Sequence, residues 1–223
     1  MNPVLVSFHD CQLEARGSGV LFWPEERILV VSDLHLGKSE RIARLGGQML
    51  PPYETRDTLT RLDDEIAATN PTLVICLGDS FDDLHAGMML DDDMTNWIAR
   101  LMAGRSWVWI EGNHDPGPLE IGGTHLAEFR CGPLVFRHIA QSGSRGEVSG
   151  HYHPKARVPL RGRTVSRPCF ALDEHKLILP AFGTYTGGLF TDHETLSALF
   201  QDDAHVIMTG QTPCLLPMPR SGR

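Results

Sequence analysis

Apolar and polar positions fall in blocks along the first half of the chain. Residues 26–32, ERILVVS, form a short apolar run that ends at Asp33, with a glycine at 37. Residues 72–77, TLVICL, form a second run that ends at Gly78-Asp79. Residues 106–110, SWVWI, form a third that ends at Glu111-Gly112-Asn113-His114. Short apolar runs bounded by turn residues predict buried strands. Between them, residues 38–49 and 54–69 carry helical spacing, separated by Pro51 and Pro52. In the second segment Thr55, Leu59, Leu62 and Ile66 share one face and the charges lie opposite. A further helix is expected over 91–103, with Asp91, Asp92 and Asp93 at its positive N-terminal end. Strands alternating with helices, each strand ending in a polar cluster, predict an α/β sheet. Its site would lie beyond the carboxyl ends of the strands.

After residue 120 the blocks shorten. Segments 124–129, 133–138, 146–150, 163–166, 169–172 and 176–180 predict a second, mostly antiparallel sheet. Helical sequence returns at 192–200, and 206–208, VIM, is placed as a closing strand. With no internal repeat or interdomain linker, residues 1–208 are taken as one domain. Residues 209–223, rich in proline and small side chains, are expected to form a mobile tail.

Charge and composition exclude some chemistry. The net charge of -8 gives no overall pull toward nucleic acid or anionic membranes. The five cysteines are scattered and include no C-x-x-C pair, which excludes a disulfide framework and a thiolate zinc site. They suit a reducing cytosol. The opening MNPVLVSFHD is not a signal peptide, and no run approaches the roughly 18 apolar residues of a membrane span. A soluble, cytoplasmic protein without a membrane partner is expected.

The candidate chemistry lies in the polar clusters. They are Asp33-Leu34-His35, then Gly78-Asp79-Ser80-Phe81-Asp82-Asp83, then Gly112-Asn113-His114-Asp115, a single His138, and Gly150-His151-Tyr152-His153. Carboxylate, amide and imidazole donors together suit a borderline divalent ion such as manganese, iron or zinc, and do not suit calcium. On an extended backbone residues i and i+2 point the same way, so Asp33 and His35 can reach one ion. His151 and His153 can each serve one of two neighbours. Glycines at 37, 78, 112 and 150 are expected to let the chain turn sharply beside the site. His125 competes with His138 as the lone histidine; His138 is preferred because it ends the apolar run PLVFR. His9, His85, His175, His193 and His205 have no motif context, and Trp107 and Trp109 fit the core.

D-x-H, G-D-x-x-D, G-N-H-D, a lone histidine and G-H-x-H, in this order, resemble the calcineurin-like metallophosphoesterases. The resemblance implies a four-layer α/β/β/α sandwich and two metal ions, manganese by preference. Asp33, His35, Asp79 and His153 would hold the first ion. Asp79, Asn113, His138 and His151 would hold the second, with Asp79 bridging. His114 would be the catalytic histidine, facing phosphate and leaving group, with the Asp82 carboxylate orienting it. Two ions roughly 3.5–4 Å apart would clamp an in-line displacement at phosphorus by a water that both acidify.

The substrate is less closely bounded. Arg130, Arg137, Arg145, Lys155, Arg157, Arg161, Arg163 and Arg167 crowd the stretch around His138, His151 and His153, where Glu147 is the only acid. A basic rim would hold the phosphates of a nucleic acid or nucleotide. The segments FHD…GVLFWPEERILVVSDLHLGKSE and PAFGTYTGG are similar to those of bacterial ligase-associated metallophosphoesterases, relatives of the SbcD-like nucleases. That likeness implies a DNA endonuclease in repair, associated with an ATP-dependent DNA ligase and a helicase. A phosphodiesterase or phosphatase for nucleotides or other small phosphoesters is the alternative, and a non-catalytic interaction module the third.

Overall fold

A computed structural model describes residues 2–46, 51–117, 121–160 and 162–220. Residues 47–49 of the first expected helix, and Arg161, lie outside the described residues.

Seven strands form the first sheet in sequence order: β1 (Val4–Phe8), β2 (Cys11–Ala15), β3 (Leu21–Trp23), β4 (Ile28–Val31), β5 (Leu73–Cys76), β6 (Ser106–Ile110) and β7 (Thr124–Leu126). The first four pair antiparallel, and β4 to β7 pair parallel. The first three of these parallel strands, β4, β5 and β6, are the three apolar runs, joined through α1 (Lys38–Arg44), α2 (Glu54–Thr69), α3 (Leu84–Met88) and α4 (Asp92–Met102). Their continuous apolar character follows from burial on both faces. Ile28, Val30, Ile75, Leu77, Val108 and Ile110 face the second sheet. Leu29, Val31, Val74, Cys76, Trp107 and Trp109 face the helices, where Leu59, Leu62 and Ile66 of α2 meet Ile98 and Leu101 of α4. The expected face of α2 is thus the buried one, and Asp91 caps α4 by accepting a hydrogen bond from the Met94 N–H at 2.8 Å.

The second sheet contains β8 (Glu128–Cys131), β9 (Leu134–Arg137), β10 (Glu147–Ser149), β12 (Arg163–Leu172), β13 (Lys176–Ile178), β14 (His205–Met208) and β15 (Cys214–Pro217), in the order β15-β14-β12-β13-β10-β9-β8. The hairpin strand β11 (Lys155–Leu160) pairs with β12. Ala171, Ile178 and Val206 pack outward against Leu196 of the short α5 (Glu194–Ser197). The result is the expected mixed α/β fold with two stacked sheets, helices outside the first and a thinner covering on the second.

Three expectations need correction. The second sheet is mostly antiparallel, as expected, with β9, β10 and β13 parallel at its centre, but the segment 124–129 is divided, β7 joining the first sheet and β8 the second. The segments 163–166 and 169–172 are one strand that runs through Pro168. The tail from 209 onward is not free, since Cys214–Pro217 pairs with β14 and Met218 is buried in the outer cluster. An edge strand needs backbone donors on one side only, so proline at its end is tolerated.

Candidate metal centre

The polar clusters lie past the strand ends, and main-chain hydrogen bonds stitch them together. Asp33 N–H donates to Gly78 C=O at 3.3 Å, and His35 N–H to Asp79 C=O at 2.9 Å. Gly150 N–H donates to His138 C=O at 3.0 Å. His151 N–H donates to Asp33 Oδ2 at 3.0 Å, so the two sheets contribute to one rim.

Five candidate ligands sit in the left-handed region: Asp33 (φ 53), His35 (φ 45), Asp79 (φ 46), His151 (φ 67) and His153 (φ 47). Non-glycine residues adopt this conformation at a cost, and it clusters at functional sites. It also replaces the extended-backbone argument for the i, i+2 pairs. Asp33 and His35 converge because the chain kinks twice beyond β4. The glycines differ in role as well. Gly78 has φ 79, and a Cβ there would come 2.5 Å from His138 Nδ1. Gly150 has no such φ; its missing side chain makes room for Ser32 and for the Asp33 carboxylate, whose Oδ2 a Cβ would meet at 2.6 Å.

Donor atoms gather in two groups, Asp33 with His35 and His153, and Asp79 with His138 and His151. In the first group His153 Nε2 is 3.1 Å from Asp33 Oδ1. His35 Nδ1 contacts Asp82 Oδ1 at 2.9 Å, while its Nε2 is buried without a hydrogen-bond partner. A buried ring nitrogen in this state is what a cation would satisfy. In the second group His138 Nδ1 is 2.7 Å from the Leu77 carbonyl, which fixes the ring and leaves Nε2 inward. That Nε2 lies 3.0 Å from Asn113 Oδ1, 3.2 Å from His151 Nδ1 and 3.4 Å from Asp79 Oδ2. Oxygen and imidazole donors with no thiolate fit manganese, iron or zinc. His125 is elsewhere, stacked on Trp109 at 6.4 Å.

His114 stands beside both groups. Its ring lies 5.3 Å from that of His35, and its N–H donates to Asp79 Oδ1 at 2.8 Å. Its Nδ1 is 2.9 Å from the Asp82 main-chain carbonyl. The expected orienting contact is therefore made by Asp82, but through its backbone. The Asp82 carboxylate instead holds His35, with Arg41 at 3.0 Å and Lys38 at 3.5 Å. The pattern of polar clusters did not single out these two α1 cations. They follow His35 by three and six residues, one helical face, and that spacing was the available signal. Asp115, the last residue of the third cluster, has a structural part that its spacing does not announce. It accepts N–H bonds from Asp79, Ser80, Phe81 and Gly112 at 2.8–3.2 Å, tying the second and third clusters together. The expected basic rim is reduced by pairing: Arg130 and Arg137 contact Glu128, Arg137 also contacts Glu147, and Arg157 contacts Asp192. A cleft of about 350 Å³ opens alongside Asn113 and His138, walled by Pro116 and Ile139.

The site is electrostatically divided. Burial alone would raise the Asp79 carboxyl, but the hydrogen bond and charge of His138 and the His114 N–H bring it down to about 2. Asp33 is likewise lowered against its burial, by His153 and His138. Asp82 falls well below the usual carboxylate range, against its burial, through His35, Lys38 and Arg41. His138 is raised despite burial, by Asp79 and Asp33. Burial pushes Asp115 up to about 6, with the Asp79 charge adding to it and the amide donors opposing.

The signs give a pH prediction for the metal-free protein. The lowered carboxylates contribute stability that is present above their unfolded pKa and lost as pH falls through the folded values. Raised His138 and Asp115 contribute stability that is present at low pH and lost as pH rises through their folded values. The melting temperature in excess chelator is expected to peak at roughly pH 4–6 and decline on both sides. A melting temperature that climbs steadily to pH 8 would contradict this balance.

Residues 26–218 match the family model described as calcineurin-like phosphoesterase. No curated protein sequence matches the chain. The crystal structure of Pseudomonas putida nuclease MPE is similar, with a TM-score of 0.75 and 28% sequence identity over 96% of this chain and 100% of that one.

Proposed function

Because the chain belongs to the calcineurin-like phosphoesterase family, and is a hydrolase of phosphoester bonds, we propose that it is a two-metal phosphodiesterase acting on DNA. The observation that carries this reading is the adjacency of two donor groups around one histidine, His114. In it Asp33, His35, Asp79 and His153 would hold one ion. Asp79, Asn113, His138 and His151 would hold the other, with Asp79 common to both sets. Such ions, manganese by preference, would supply Lewis-acid neutralisation of phosphoryl charge and an acidified water. The protein's own part is to position and to donate a proton. The Asp82 carbonyl engages His114 Nδ1, so Nε2 is the nitrogen available to substrate. Protonated there, it donates to the departing oxygen. Arg41 and Lys38 keep the Asp82 carboxylate ionised, which holds His35 in place.

A nucleic-acid substrate is supported by the nuclease with which the chain shares fold and 28% identity. The likeness of the opening and closing segments to ligase-associated enzymes supports a place in DNA repair, alongside an ATP-dependent DNA ligase and a helicase. Among the described residues no helix is long and apolar enough to cross a membrane.

The test uses metal-stripped protein reloaded with manganese, assayed on bis-p-nitrophenyl phosphate and plasmid DNA. His114→Ala is expected to lose about 10²–10⁴-fold in turnover while keeping its metal. Full activity in that variant would remove the acid role. Diester hydrolysis without plasmid nicking would move the substrate to a small phosphoester. Two bound ions with no hydrolysis of any phosphoester would revive the interaction module.

A further inference from the structure

We propose that Tyr53 and Tyr185 form a platform on which an unpaired nucleobase of the substrate stacks beside the scissile phosphate. The inference rests on the nucleic-acid reading above and adds how the strand is held. The two rings lie 5.6 Å apart, tilted by 56°. Tyr53 is 52% exposed and Tyr185 partly buried, with its hydroxyl covered, and neither belongs to a core cluster. Tyr185 also has φ 64, a conformation that bulky residues rarely adopt and that marks functional loops.

The segments on either side, which carry the two rings, are anchored to the first donor group. On one side, Phe182 N–H donates to Ser32 C=O at 2.8 Å and Gly183 N–H to Asp33 C=O at 3.0 Å, two residues before Tyr185. The same loop passes Gly188 against the backbone of His153. On the other side, Gly37 N–H donates to Thr55 Oγ1 at 2.9 Å and Ser39 N–H to Glu54 Oε1 at 3.0 Å. These bonds tie the start of α2, and with it Tyr53, to the turn after His35. Thr184 N–H donates to Thr58 Oγ1 at 3.1 Å and closes the two supports on each other. The segments that carry the aromatic pair are therefore tied to the backbone of the Asp33–His35–His153 group.

Its surroundings suit a strand. Of the nearby acids, Glu54 is buried and engaged by the Ser39 N–H, and Asp57 is paired with Arg61 at 3.2 Å. Aromatic stacking tolerates every base because each has a π-face, so the platform would hold a strand without reading its sequence.

The test measures cleavage of a single-stranded DNA oligonucleotide by the manganese-loaded enzyme, with an abasic site moved along the strand. At one position the abasic site is expected to raise KM about tenfold for the native enzyme. Tyr53→Ala and Tyr185→Asn should raise KM on the intact strand by a similar factor and add nothing on that abasic strand. Tyr53→Trp should retain native KM. A flat abasic scan would overturn the platform. So would variants equally impaired on intact and abasic strands, because that is the signature of a structural role. If the native enzyme hydrolyses bis-p-nitrophenyl phosphate but cuts no oligonucleotide, the nucleic-acid reading fails and the platform fails with it.

Discussion

Asp79→Asn is expected to lower diester hydrolysis by at least about 100-fold and to cost the protein bound metal. Replacing a residue that merely supports a ligand costs roughly 10–100-fold, and Asp79 offers its own oxygens. Oδ1 accepts the His114 N–H at 2.8 Å and Oδ2 lies 3.4 Å from His138 Nε2. An asparagine of the same shape can keep only one of these relations. If its oxygen stays on the His114 N–H, its NH2 faces His138, where a donor cannot bind a cation. If it flips, two N–H groups confront each other at His114. Charge is lost as well, and with it the interaction that raises His138. The measurement is metal content by elemental analysis, taken together with turnover of bis-p-nitrophenyl phosphate. Two retained ions and activity within tenfold of native would remove Asp79 from the shared position.

Asp115→Asn is expected to destabilise the protein by about 2–5 kcal/mol, which for a chain of this size lowers Tm by about 5–15 °C. The side chain is 7% exposed and its two oxygens receive four backbone N–H bonds. An amide has one oxygen. Its NH2 would meet two of those donors, leaving them unsatisfied in a buried place. Oδ1 serves Asp79 and Gly112, and Oδ2 serves Ser80 and Phe81, so either orientation breaks a tie to the Gly78–Asp82 loop. Because that loop carries Asp79 and Asp82, metal affinity should fall together with stability. Thermal melting with chelator and with manganese separates the two effects. A variant with native Tm in chelator would show that the four bonds carry no net stability.

Much of the candidate site was legible because its proposed ligands are local features. Each candidate follows an apolar run or sits beside glycine, and the five clusters come in an order too specific for chance. His138 was the least patterned of them. Its place at the end of an apolar run was enough to prefer it over His125, and the structure puts His138 Nε2 among Asn113, His151 and Asp79. The core faces of α2 and of β4 to β6 were legible for a similar reason, since helical and strand periods are written directly in residue spacing.

Other parts were hidden from a reading along the chain. The hairpin of β1 and β2 turns at His9-Asp10, both with positive φ, where the usual signal would be asparagine-glycine. Strand β15 forms because β14 offers a free edge, which no property of the proline-rich tail announces. The parallel centre of the second sheet depends on which strands become neighbours.

The sequence by itself determined the family, the α/β core and the set of donor atoms. Apolar periodicity and donor chemistry are properties of residue type and spacing. Only the tertiary structure decided the distances and backbone conformations that bring those atoms together in two groups. It also decided that Asp82 reaches His114 through its carbonyl and His35 through its carboxylate, and that Asp115 clamps two loops. The pairing of Tyr53 with Tyr185, across more than a hundred residues, belongs to the same class. Such relations depend on distances of a few ångströms between segments remote in the chain, and these exist only once both sheets have packed and the loops past their strands have been drawn into the left-handed region.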